Sequence, residues 1–229
     1  AGNTCYSLGV EFDRARKEKR ARFCWERAFQ IYDQASRLYV QRGLKPGQDM
    51  LLKYAWLAHT VQKDYSTAES VYALLTNQLI LFSPDQKRKN EDSLQAIYAN
   101  LGQVYLQLKR SSLSEGFFRA AMNLGAETEL GGWAKEKLGD RQTKLAPSHV
   151  DLLIQKRFNA YAISDVILAS PLSFSITQKE ALTLQKGGTH PVIIKALLEA
   201  SRGKARDLKD ILADWRKHDE TLIREAGKL

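Results

Sequence analysis

The sequence predicts an all-α chain made of antiparallel helical hairpins. Three observations predict it. Apolar residues recur at spacings of three and four, and strict alternation is rare. Helix starts and stops are marked by caps and by Gly and Pro turns. A pattern of small, aromatic, then small or apolar residues also recurs along the first part of the chain.

Over 12–40 the residues Ala21, Trp25, Ala28, Phe29, Tyr32, Ala35 and Tyr39 form one stripe, which predicts a single helix. Gly43 and the turn Lys45-Pro46-Gly47 end it. A second helix is expected over 50–61, with Leu51, Tyr54, Ala55 and Ala58 on one side. Lys63-Asp64 makes a turn, and a third helix follows over 66–82. Ser83-Pro84-Asp85-Gln86 reads as a capping box with proline at the first helical position. Helices are expected over 91–108, 111–124 and 132–139; Gly125 and the Gly131-Gly132 pair loosen the chain, and Gly139 ends the last of these helices. Beyond Pro147, Ser148 with Asp151 reads as a cap for a helix over 150–158. Thr177 with Glu180 is a second capping box, for a helix that stops at Gly187-Gly188. Pro191 starts the next helix, to residue 200. A last helix is expected over 205–226, with Leu208, Ile211, Leu212, Trp215, Leu222 and Ile223 on one face. A boundary between 140 and 147 divides a repeat domain, 1–140, from a small helical C-terminal domain, 147–229, that carries the long terminal helix.

Composition narrows the function classes. In 229 residues, 44% hydrophobic and 27% charged content suffices for a buried core and argues against disorder. Five Pro and 14 Gly exclude collagen-like and Pro-rich chains. Two Cys exclude a disulfide-framed mini-protein, and Cys5 and Cys24 are readable either as a pair or as free thiols. No apolar run reaches the roughly 18–20 residues of a membrane-spanning helix. The start AGNTCYSLG shows no basic segment followed by an apolar run, so no signal peptide is visible, although a trimmed start looks the same. The compartment stays open between cytoplasm and processed envelope protein.

The chemistry-bearing motifs are missing. The Gly pairs lack the Lys-Ser/Thr of a phosphate loop. There is no His-Glu-x-x-His helix and no Gly-x-Ser-x-Gly elbow. Two Cys and four scattered His do not supply a zinc site. His59 reads as a satisfied structural histidine rather than a general base, and Asp64 and Glu69 are separated by a turn. No catalytic residue, metal or cofactor is therefore expected.

The formal net charge of +9 is unevenly spread. Residues 1–42 carry nine Lys and Arg against five Asp and Glu, 43–140 eleven of each, and 141–229 fifteen against ten. The densest patch is Arg14, Arg16, Lys17, Lys19, Arg20 and Arg22; a second is Lys87, Arg88 and Lys89. Such runs serve phosphates, an acidic partner or simply solvation. No aromatic interleaves 13–22, which favours a solvated helix face over a base-stacking surface.

Between Gln95 and Ala126, Tyr98, Leu101, Gly102, Tyr105, Ser114, Phe118 and Ala121 stand at the spacing of a tetratricopeptide repeat, which this segment resembles. The second-helix part echoes as Ala28, Tyr32, Ala35 and as Ala68, Tyr72, Leu75, at offsets of 40 and 46 residues. The resemblance covers about residues 20–125. It implies a stacked hairpin array whose first helices line a groove for an extended peptide or helix. It places Ala96, Ala99, Gln103 and Leu106 toward that groove. Chaperone-binding members clamp a terminal carboxylate there with Lys and Asn, which Ala99 and Gln103 do not provide. Ala55-Trp56-Leu57, the run Leu101 to Tyr105 and Phe117-Phe118-Arg119-Ala120-Ala121 also resemble the helical part of a bacterial family whose zinc-binding Cys-x-x-Cys head is lacking here. The stretch 176–198 resembles a helical hairpin of bacterial envelope proteins, which implies a bacterial origin and a helical accessory domain. The expected function is that of a non-enzymatic scaffold or adaptor for a protein partner. The alternative is a nucleic-acid-binding protein using the basic first helix and C-terminal region.

Overall fold

Helix is the only regular structure among the residues that the computed structural model describes, 1–80 and 90–201. One isolated parallel bridge joins Leu145 to Leu172. The cap at Ser83–Gln86, the basic run at 87–89 and the helix expected over 205–226 lie outside the described residues. Contacts divide the chain into two units, Ala1–Leu75 and Thr76–Leu229.

The first unit departs from the sequence reading at once. Instead of one helix over 12–40 there are two, α1 (Gly2–Arg14) and α2 (Glu18–Gln41), which pack as a hairpin. The turn closes as Lys17 N–H bonds Phe12 O and Arg16 N–H bonds Asp13 O, both at 2.8 Å. This is a Schellman closure in which Arg16, at φ 55°, takes the left-handed position that glycine normally fills. An arginine there costs about 1–2 kcal/mol. Burial along α1 offsets it: Gly9 lies against the Trp25 indole and Gly2 against Tyr32 with no room for a Cβ. The Tyr32 hydroxyl donates to Asn3 Oδ1 at 2.6 Å. Trp25 and Tyr6 both meet the Trp56 ring edge-on, at 5.4 and 5.8 Å. α2 ends as expected at Gly43, φ 65°. α3 (Gln48–Leu57) runs into one π-helical turn, Ala58–Gln62, before α4 (Tyr65–Leu79).

The second unit is built on the hairpin of α5 (Glu91–Gln107) and α6 (Ser111–Leu124), both close to the expected spans. Gly102 is where the helices meet: a Cβ there would lie 2.5 Å from the Phe118 ring, and Ser114 Oγ donates to the Gly102 carbonyl at 2.8 Å. Of the nine residues in the small–aromatic–small echoes, all but Ala35 are buried. Gly102→Leu is expected to overpack this contact and cost roughly 1–3 kcal/mol. A thermal melt checks it, and an unchanged midpoint would mean that the two helices do not meet at Gly102.

Gln95 of α5 satisfies the carbonyl end of α6, donating from Nε2 to Ala121 O and Gly125 O at 3.1 and 2.6 Å. Thr128 donates to Gln95 Oε1 and caps α7 (Glu129–Leu138) by accepting from Gly131 N–H. α8 (Pro147–Gln155), α9 (Ala160–Ala169), α10 (Gln178–Lys186) and α11 (Pro191–Ser201) follow. α6 packs on α5, α7 and α9; α9 packs on α8 and α11. The cap of α8 is not Ser148 but Ala146, whose backbone N–H donates to His149 Nδ1 at 3.0 Å. Proline at the first helical position moves the start one residue earlier and leaves Ser148 inside the first turn. The Thr177–Glu180 capping box is present, with Thr177 N–H to Glu180 Oε2 at 2.7 Å.

The break expected between 140 and 147 falls inside the second unit. Arg119 Nη2 donates to Arg141 O and Thr143 N–H to Glu115 Oε2, each at 2.8 Å. Leu145 exchanges backbone bonds with Pro171 and Ser173. These ties bind the connector to α6 on one side and to the segment that follows α9 on the other.

Candidate interaction surfaces

The basic residues Arg14, Arg16, Lys17, Lys19, Arg20 and Arg22 all lie at the α1–α2 turn and all are exposed. The left-handed turn at Arg16 brings the end of one helix against the start of the next, so the charges gather at one tip. Arg22 pairs with Glu26 at 2.9 Å, and the Arg20 guanidinium lies 6.0 Å from the Phe12 ring centre. No aromatic stands within 13–22. The residue just after, Phe23, is 71% exposed and lies one helical turn beyond Lys19 and Arg20.

The π-helical turn buries His59, whose Nδ1 lies 3.3 Å from both the Ala55 carbonyl and the Tyr72 hydroxyl. Burial is the main cause that holds its pKa down at about 4, with Lys63 adding to it. The unfolded chain binds this proton near pH 6.5. Stability is therefore full above about pH 6.5 and is lost as pH falls toward 4, by roughly 3 kcal/mol over that window. His59→Leu removes this component. PH–stability curves of parent and variant that stay parallel from pH 7 to 4 would refute the assignment. Asp64 caps α4, accepting from Thr67 N–H at 3.0 Å. Cys5 and Cys24 are free, half-buried thiols.

The expected groove residues share one face of α5. Ala96, Gln103 and Leu106 are half-buried, whereas Ala99 is 1% exposed and presents nothing to a partner. The reason is the helix itself: nine of its seventeen residues are buried, so little of its circumference is left open.

A concave site that the sequence did not reveal lies between α8, α10 and α11. It encloses about 430 Å³. Val150 and Ile154 of α8, Ile176 before α10, Leu184 of α10, and Ile193 and Leu197 of α11 form apolar walls. Asp151 and Glu180 stand on its wall, and among the described residues no Lys or Arg lines it. α10 buries only Ala181, so its inner side faces the pocket rather than a core. The capping box and the Gly187-Gly188 stop locate α10 from sequence. Nothing local announces that α8 stands opposite.

Among the described residues no group of three or more His, Cys, Asp or Glu is placed to hold a metal ion, and no helix is long and apolar enough to cross a membrane. Comparison with protein-family models, with curated proteins and with solved structures gives no match.

Proposed function

We propose that this protein is a non-enzymatic helical scaffold that binds a partner protein. The observation that carries the reading is the apolar pocket between α8, α10 and α11, whose wall residue Ile154 is 40% exposed. Apolar concavities of this size are where ligands and partner side chains dock. The tetratricopeptide-like pattern of 20–125 supports the same reading, since stacked helical hairpins serve as binding frames. The pocket replaces the α5 face as the first place to look, because Ala99 is covered. Capture from a native extract, with Leu184→Asp in parallel, tests this. Partners recovered by the parent and lost by the variant support the pocket; the same set recovered by both refutes it.

The second reading, nucleic-acid binding, is favoured by one observation: exposed Phe23 beside the basic tip offers a stacking ring next to phosphate-binding charges. Fluorescence anisotropy with a random single strand at physiological salt decides between the two. Tight, steeply salt-dependent binding that disappears on reversing Arg16, Lys17 and Arg20 to Glu would favour nucleic acid. If the tip instead steers an acidic protein partner, the same reversal slows association and leaves the lifetime of the complex intact.

A further inference from the structure

We infer that the pocket between α8, α10 and α11 receives a basic amphipathic helix of the partner protein. The inference rests on the protein-binding reading and names the chemistry of the partner. The walls are largely apolar, with Ile154 from α8, Phe174 from the segment before α10, Leu184 from α10, and Ile193 and Leu197 from α11. The space suits the side chains along one helix face, not a whole helix. That favours anchors at i, i+3 or i+4, and i+7.

The charges choose the flanks of that helix. The chain as a whole is at +9, yet among the described residues the charged ones lining this pocket are two carboxylates, Asp151 from α8 and Glu180 from α10. Both are exposed. Glu180 is held in place by Thr177, whose N–H and hydroxyl donate to Oε2 at 2.7 and 2.8 Å. A helix with Lys or Arg beside its apolar anchors meets complementary charge, whereas an acidic helix meets repulsion.

The test is a displayed library of helical dodecapeptides selected on the full chain. Selected peptides are expected to carry apolar anchors at that spacing with net positive charge. Their affinity is expected to fall about three- to tenfold on Asp151→Asn with Glu180→Gln, since exposed pairs each contribute modestly. Glutamine at 180 still closes the capping box, so α10 keeps its start. Leu184→Asp, or Ile154→Glu on the other wall, is expected to weaken binding at least tenfold. Peptides that are neutral or acidic, or that ignore the double amide variant while losing binding to Leu184→Asp, overturn the basic assignment and leave the protein-binding reading standing. Recovery of no binder, or of binders indifferent to both wall variants, overturns the pocket as a helix receptor. So does a cross-link that places the chain's own residues beyond Ser201 inside it.

Discussion

Phe117→Ala is expected to cost about 3–5 kcal/mol, one of the two largest single-residue losses in the second unit. Phe117 is 1% exposed and sits among three other rings. It stacks on Tyr105 at 5.4 Å, with planes 11° apart. It also meets Tyr98 at 5.9 Å and Phe158 at 5.7 Å. Tyr98 and Tyr105 come from α5, Phe117 from α6 and Phe158 from the turn between α8 and α9. One ring therefore ties the hairpin to the helices that follow it. Truncation removes the buried apolar area and leaves a cavity whose walls belong to several elements and cannot close together. Phe117→Leu keeps most of the volume and is expected to lose less than half as much. Denaturant unfolding measures both. A loss under about 1 kcal/mol for the alanine variant would mean that the site collapses freely and the cluster holds nothing together.

Arg119→Met is the second. Glu115 is 1% exposed in the middle of α6 and its Oε2 has two partners, the Thr143 N–H at 2.8 Å and Arg119 Nη2 at 3.3 Å. Arg119 also donates to the Arg141 carbonyl, so the same guanidinium closes the connector onto α6. Methionine keeps the aliphatic stem and deletes the charge. The buried carboxylate then lacks its cation, a change that costs about 3–5 kcal/mol in such settings. Pairing the substitution with Glu115→Gln removes the stranded charge, and the double variant is expected to recover much of the loss. A double variant no more stable than Arg119→Met alone would show that the damage comes from the connector contact to Arg141, not from the carboxylate.

The all-α class and most helix spans were legible because their signals are local. The α5–α6 hairpin is the clearest case. Gly102, Tyr105, Ser114 and Phe118 are spaced for two helices in close contact, and they do make it. The Thr177–Glu180 box was legible for the same reason: the interaction is complete within four residues. The basic tip was legible as composition, and its six side chains are exposed. α1 was not legible. Two glycines in its first nine residues argue against helix, and the favourable counterparts, Tyr32 and Trp25, lie on another element. The reversals at Arg16 and Arg157 were not legible either, since each places a long basic residue, inside a stretch with helical periodicity, where glycine is the usual signal.

What the sequence by itself determined is therefore the class, the periodic helices, their caps and the charge distribution. These rest on interactions between residues at most a few positions apart, each contributing about 1 kcal/mol or less. Tertiary structure alone decided where the 12–40 stretch turns back, and that the 140–147 connector belongs to a unit beginning at Thr76. It also decided that Ala99 is covered and that α8 stands across from α10 and α11 to leave an acidic-walled apolar pocket. Each of those outcomes depends on burial between residues far apart in the chain. Such burial contributes several kcal/mol per large side chain, enough to override a left-handed arginine or an unpromising pair of glycines.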